Sequence, residues 1–233
     1  LRDSGIADAH RAVTAITGKI GRKPLVERIR RHDAVDRAQP VGASRRDGEN
    51  VRNEVFHRLG RANAVERAHG TFFGSITSEL IVDQLAERGA LLTSRILWTF
   101  SAAYRRYRDT AYLEIADLAY ADLMERFHDR QHGGFYWSIA ADGAVLRDRK
   151  QVYGQAFAIY ALTEYHRASE QAAPRDEAIA VYRLLDAHAQ DRSHGGYLEW
   201  FSRTWEPIAN MRLSTVDLNE PKSQNTHLHV IEA

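Results

Sequence analysis

The sequence predicts an all-α ring of paired helices, an α/α toroid whose helices are joined by short β-hairpins. Three observations predict it. A His-Gly-x-aromatic element recurs as "HGTFFGSI" at 69, "HGGFYWSI" at 132 and "HGGYLEWF" at 194, a period of about 62 residues. Two helical patterns lie between successive copies, the first apolar around most of its circumference and the second amphipathic. Solenoids built from helix pairs repeat at about 33 to 47 residues. They also leave both helices of a pair partly exposed, so the longer period and the wholly apolar helix favour a ring.

The glycines after each histidine tolerate positive φ, and the aromatic and β-branched residues that follow suit a short strand, so each element reads as the opening of a hairpin. After the first come helices over 94–107, "SRILWTFSAAYRRY", and 110–129, "TAYLEIADLAYADLMERFHD". After the second come helices over 150–169, "KQVYGQAFAIYALTEYHRAS", and 174–191, "PRDEAIAVYRLLDAHAQD". The first helix of each pair carries Ile96, Leu97, Trp98 and Phe100, or Val152, Phe157, Ile159, Tyr160 and Leu162, and reads as an inner, buried helix. The second reads as an outer helix, with Pro174 suited to its start and Ile179, Tyr182, Leu185 and His188 spaced as its apolar stripe. A third inner helix begins at Ser223, with Leu228 and Ile231 on one face. No Gly, Asn or Pro stop signal follows it, and six units at this period need about 370 residues, so the ring is expected to be incomplete and open here.

Composition narrows the setting. Of the 233 residues, 44% are hydrophobic and 27% charged, as in ordinary globular chains. No apolar run approaches the roughly 18 residues that span a bilayer, and there is no signal-peptide pattern, so the expectation is a cytoplasmic protein without a membrane partner. The absence of cysteine excludes disulfides and thiolate zinc sites. Residues 1–70 hold 15 Lys+Arg against 9 Asp+Glu and one aromatic, Phe56, whereas the remainder holds 17 against 22 and the other 21 aromatics. Residues 1–68 are therefore expected to be an atypical basic segment, poorly packed or out of frame, ahead of a partial toroid over 69–233. "RKPLVERIRR" within it could be an arm for nucleic acid, but no aromatic interleaves with its arginines and acids are scattered among them. No nucleic-acid partner is expected.

Polar residues collect where the inner helices begin: Ser94 and Arg95 on the first, Gln151, Tyr153 and Gln155 on the second, Asn225, His227 and His229 on the third. In a ring of inner helices running one way these ends share a mouth, where side-chain donors and unpaired backbone N–H groups serve hydroxyl-rich or anionic ligands. A buried Arg95 needs either a core carboxylate or a ligand oxygen. Tyr153 taken alone reads as packing. His227 and His229, two residues apart, lie on different helix faces and cannot ligate one metal as an i, i+4 pair would. One reads as a core histidine and one as a general acid/base. Asn225 shares a face with His229.

The stretches "LLTSRILWTFSAAYRRY", "HGGFYWSIAADG", "DRKQVYGQAFAIYALTEYHRA", "GGYLEWFSRTWEP" and "MRLSTVDLNEPKSQNTHLHVIEA" resemble the cellobiose 2-epimerase branch of the N-acylglucosamine 2-epimerase superfamily, continuously from about Gly70 to Ala233. The resemblance implies an (α/α)6 barrel and cofactor-free, metal-free epimerisation at C2 of the reducing-end glucose of a β-1,4-linked disaccharide. Cellobiose would give glucosyl-mannose and lactose would give epilactose, through a cis-enediolate. It implies His229 as one of two proton-transferring histidines, the other lying in the half of the family's length that this chain lacks. It further implies Arg95 as the stabiliser of charge on the intermediate, and Asn225, Tyr153 and Asp217 as sugar contacts. Other readings are a glycoside hydrolase or another sugar isomerase on an α/α toroid, or an inactive sugar-binding fragment. A hydrolase would need paired carboxylates across the cleft. A complete ring is expected to be monomeric, and an open one to associate through its exposed inner-helix flanks, with negligible turnover.

Overall fold

A computed structural model describes residues 65–66, 70–77, 79, 81–210 and 219–233. The basic segment over 1–68 lies outside these residues apart from Val65–Glu66, and so does Asp217. Short strands β1 (Val65–Glu66), β2 (Thr71–Phe72), β3 (Ser75–Ile76), β4 (Val82–Asp83) and β5 (Arg88–Gly89) lead into the first inner helix, α1 (Ala90–Tyr107). The first outer helix, α2 (Thr110–Asp122), finishes in a π-helical turn over Leu123–Phe127. Strands β6 (Ser138–Ile139), β7 (Val145–Arg147) and β8 (Lys150–Gln151) precede the second pair. That pair is α3 (Val152–Ser169) and α4 (Ala172–Leu184), the latter ending in a second π turn over Leu185–Ala189. Strand β9 (Trp200–Phe201) and the third inner helix, α5 (Gln224–Glu232), complete the described chain. Among the described residues no helix is long and apolar enough to cross a membrane.

The inner helices form one row, with α3 packed between α1 and α5, and the outer helices cover it, α2 on α1 and α4 on α3. Arg95 meets Tyr153 near the helix starts and Arg105 meets Glu164 near the ends, so α1 and α3 run parallel. Eleven of the eighteen residues of α3 are buried, as its apolar circumference requires. The core it joins includes Leu97, Ala116, Leu123, Phe127 and Leu185, with Leu162 of α3 itself.

Two expectations about elements need correction. Helix α1 starts at Ala90 rather than Ser94, because Gly89 is extended and paired with Ser138, so strand pairing and not a side-chain cap sets the start. On α4 the buried stripe is Pro174, Ala178 and Val181, while Ile179 and Tyr182 face outward, 41% and 52% exposed; small side chains let α4 approach α3 closely. The His-Gly-Gly element of the second unit opens a hairpin as expected: Gly133 and Gly134 take φ of 70° and 68° in a tight turn bridged between His128 and Phe135, and the strand that follows, β6, pairs antiparallel with β7. β6 also pairs with β5, and β9 with β8, so the starts of α1 and α3 are tied to the unit that follows each.

Candidate active site

The turn ahead of each inner helix is held by a repeated latch. In the second unit the Asp129 carboxylate accepts the backbone N–H groups of Gln131 and His132 and, through Oδ2, Lys150 Nζ at 2.9 Å. In the third, Asp191 does the same with Ser193, His194 and Lys222. The first unit uses Glu66 and Arg88. Five residues past the lysine, a side chain on the inner helix grips the turn. Gln155 Oε1 accepts the Phe135 N–H at 2.9 Å and its Nε2 donates to the Phe135 carbonyl at 2.8 Å. His227 occupies the matching place: Nε2 accepts the Tyr197 N–H at 2.9 Å, so Nδ1 carries the hydrogen and donates to the Ser223 carbonyl, 2.6 Å away. Both ring nitrogens of His227 are thus occupied by backbone groups.

The grip depends on Gly196, whose φ is +76° and where an added Cβ would lie 2.4 Å from His227 Nε2. Gly195 shares the positive φ but has open space around that position. Gly196→Ala is expected to cost about 1–3 kcal/mol in urea unfolding, and clearly more than Gly195→Ala, which bears the backbone strain alone. Equal losses would mean that the His227 contact does not matter.

Seven residues past Arg88, Lys150 and Lys222 stand Arg95, Phe157 and His229, and these three meet. The Arg95 guanidinium lies over the Phe157 ring, 4.8 Å from its centroid, and the His229 ring is 4.4 Å from the same ring. Arg95 Nη2 donates to the Tyr153 hydroxyl at 3.3 Å, and Tyr153 sets its ring edge-on to His229 at 4.9 Å. His229 Nδ1 lies 2.7 Å from Glu232 Oε2. Arg95, Tyr153 and His229 therefore form one cluster of a fixed cation, a hydroxyl and an imidazole, with Phe157 between the first and last. Asn225 stands exposed in the first turn of α5, one turn before His229. Among the described residues, no three His, Asp or Glu side chains gather as metal ligands would.

Glu199, missed from sequence, anchors α5. It is 1% exposed, and its carboxylate accepts the Ser223 N–H at 2.6 Å and the Thr226 hydroxyl through its other oxygen. Ser223 in turn caps the helix by accepting the Thr226 N–H at 3.1 Å. Glu199→Leu strands two buried donors at about 1–3 kcal/mol each, and a drop of about 2–5 kcal/mol in urea unfolding is the expected result. A change within 0.5 kcal/mol would remove Glu199 from this role. Phe157, Glu232 and the latch residues were also missed. The repeat held the signal for the latch, since "DRQHGG" and "DRSHGG" both begin one turn before the histidine, at Asp129 and Asp191.

The fold has counterparts among known proteins. Residues 71–233 match the family model of N-acylglucosamine 2-epimerase (GlcNAc 2-epimerase), and the chain belongs to that family. It is 42% identical to a cellobiose 2-epimerase of Bacteroides fragilis over 72% of this chain and 43% of the relative. It is similar to the solved cellobiose 2-epimerases of Spirochaeta thermophila, at 38% identity and TM-score 0.68 over 81% of this chain and 48% of that one. The corresponding figures for Bacillus thermoamylovorans are 36% and 0.71, over 78% and 49%. The chain thus spans about half the length of the relatives it matches.

Proposed function

We propose that the protein epimerises C2 of the reducing-end glucose in β-1,4-linked disaccharides such as cellobiose and lactose, and that residues 69–233 contribute one side of an (α/α)6 barrel. The observation that carries this reading is the Arg95–Tyr153–Phe157–His229 cluster in a chain of the N-acylglucosamine 2-epimerase family. On this reading His229 Nε2 is one of the groups that move the C2 proton. As the proton leaves the open-chain sugar, the C2–H electrons form the C1=C2 bond and the C1 carbonyl oxygen takes up negative charge, giving a cis-enediolate. Arg95, held by Tyr153 and the Phe157 face, stabilises that charge, a task for which one preorganised donor commonly supplies about 3–4 kcal/mol. Reprotonation on the opposite face of C2 gives the mannose configuration. Asn225, Tyr153 and Asp217 are assigned to sugar hydroxyls. The reaction as written consumes no redox equivalent.

A glycoside hydrolase would place two carboxylates across the cleft, and the inner-helix starts carry Arg, Tyr, Asn and His instead. Incubation with cellobiose or lactose in deuterium oxide tests both. Deuterium at C2 with a mannose-type product supports the epimerase, free glucose supports a hydrolase, and neither product leaves a sugar-binding role.

A further inference from the structure

Resting on the epimerase reading, we infer that Trp98 and Tyr160 form the floor of the site: their stacked rings stop the reducing-end sugar at the depth where its C2 stands level with His229. The burial pattern of the inner helices carries this. Between Thr93 and Ser101 on α1, only Arg95 and Trp98 escape burial. Between Val152 and Thr163 on α3, Tyr153, Phe157, Tyr160 and Thr163 do, at spacings of four, three and three. Each set is one helical stripe, and the two lie side by side on the face that the outer helices leave uncovered. Arg95, Phe157 and His229 make one level of this face. The next lies three residues on, about 4.5 Å further along the axes at about 1.5 Å per residue. There Trp98 and Tyr160 stack nearly parallel, their centroids 5.2 Å apart and their planes at 16°. The pair bridges α1 and α3, so each ring holds the plane of the other. Beyond it the stripes carry the small side chains of Ala102 and Thr163, ahead of the Arg105–Glu164 ion pair at 2.6 Å. The bulky surface thus sits directly beneath the reacting groups. A sugar entering at the helix starts meets it with its C–H groups and descends no further. Depth matters, because a misplacement of about 1 Å can cost about 10²-fold in rate.

The test uses a chain that carries the whole ring and reads deuterium exchange at C2 of cellobiose as kcat and KM separately. Trp98→Ala opens the floor and keeps Arg95, Tyr153 and His229. Its kcat is expected to fall by about 10–10²-fold with KM changed by less than about threefold, since the sugar still binds but sits too deep. Trp98→Phe restores a ring opposite Tyr160 and is expected to regain at least about fivefold in kcat over Trp98→Ala. Indole, which fits the cavity that Trp98→Ala leaves, is expected to raise the kcat of that variant and not that of the unmutated chain. Urea unfolding verifies that each variant is folded. If Trp98→Ala does not fold, Trp98→Leu, which keeps part of the volume, is read in its place for the same fall in kcat. A kcat within about threefold of the unmutated value in the folded variant overturns the floor. So does a loss that neither indole nor Trp98→Phe repairs. Absence of exchange in the unmutated ring withdraws the epimerase reading and the floor with it, whereas normal exchange there beside an unaffected Trp98→Ala withdraws the floor alone.

Discussion

Asp129→Asn is expected to remove about 3–5 kcal/mol from the stability of the fold, the loss that follows when one partner of a buried ion pair is taken away. Both side chains of the Asp129–Lys150 pair are 0% exposed, so the lysine that remains has no water to turn to. Its ammonium lies 4.8 Å from the Tyr136 ring, which offsets part of the lost charge and not its whole. Arg203 loses a partner as well, since its Nε and Nη2 donate to the two Asp129 oxygens at 2.9 and 3.2 Å. Urea unfolding at neutral pH measures the effect, and a loss below 1 kcal/mol would mean that the latch is dispensable. The same pair sets an acid limit. Burial pushes the Asp129 carboxyl up, but hydrogen bonds from Arg203 and Lys150 and the Lys150 charge outweigh it and hold the group well below the usual carboxylate range. A depressed folded pKa contributes stability that is complete above the unfolded value of about 3.9 and is lost as pH falls below it. Stability is therefore expected to fall between about pH 4 and pH 2, less steeply in Asp129→Asn.

In a chain that carries the whole ring, His229→Ala is expected to lower deuterium exchange at C2 of cellobiose by about 10²–10⁴-fold, the range that a positioned general acid/base contributes. The His227→Ala variant is expected to act on stability instead, because it breaks the bonds to Tyr197 and Ser223 and leaves the Arg95–Phe157–His229 contacts untouched. Proton NMR of the sugar in deuterium oxide reads the first effect and urea unfolding the second. Exchange within threefold of the unmutated rate in His229→Ala would withdraw the proton-transfer role.

The paired helices, their order and the division between inner and outer were legible in the sequence, because a period of about 62 residues and a change in apolar pattern are properties of spacing. The split between the two histidines was half legible. Their spacing denies them a shared face, but which one grips the turn depends on Gly196 and Tyr197, thirty-one and thirty residues earlier in the chain. Glu199 was invisible for the same reason: its partners Ser223 and Thr226 come twenty-four and twenty-seven residues later, and a lone glutamate beside Trp200 carries no periodic signal. The outward turn of Ile179 and Tyr182 is a case where hydrophobicity pointed the wrong way, since close helix contact selected Pro174, Ala178 and Val181 over larger side chains.

The latch and the proposed chemistry occupy different addresses within each repeat. Residues that hold the turn recur with the same duty, Asp129 with Lys150 and Asp191 with Lys222, while the address seven residues past the basic residue carries arginine, phenylalanine and histidine in successive units. A duplicated scaffold of this kind can trade one reactive group for another at a single address while its copies keep their shape. Phe157→His would add an imidazole between Arg95 and His229 without touching the latch, which makes that address the place to redirect the reaction by design.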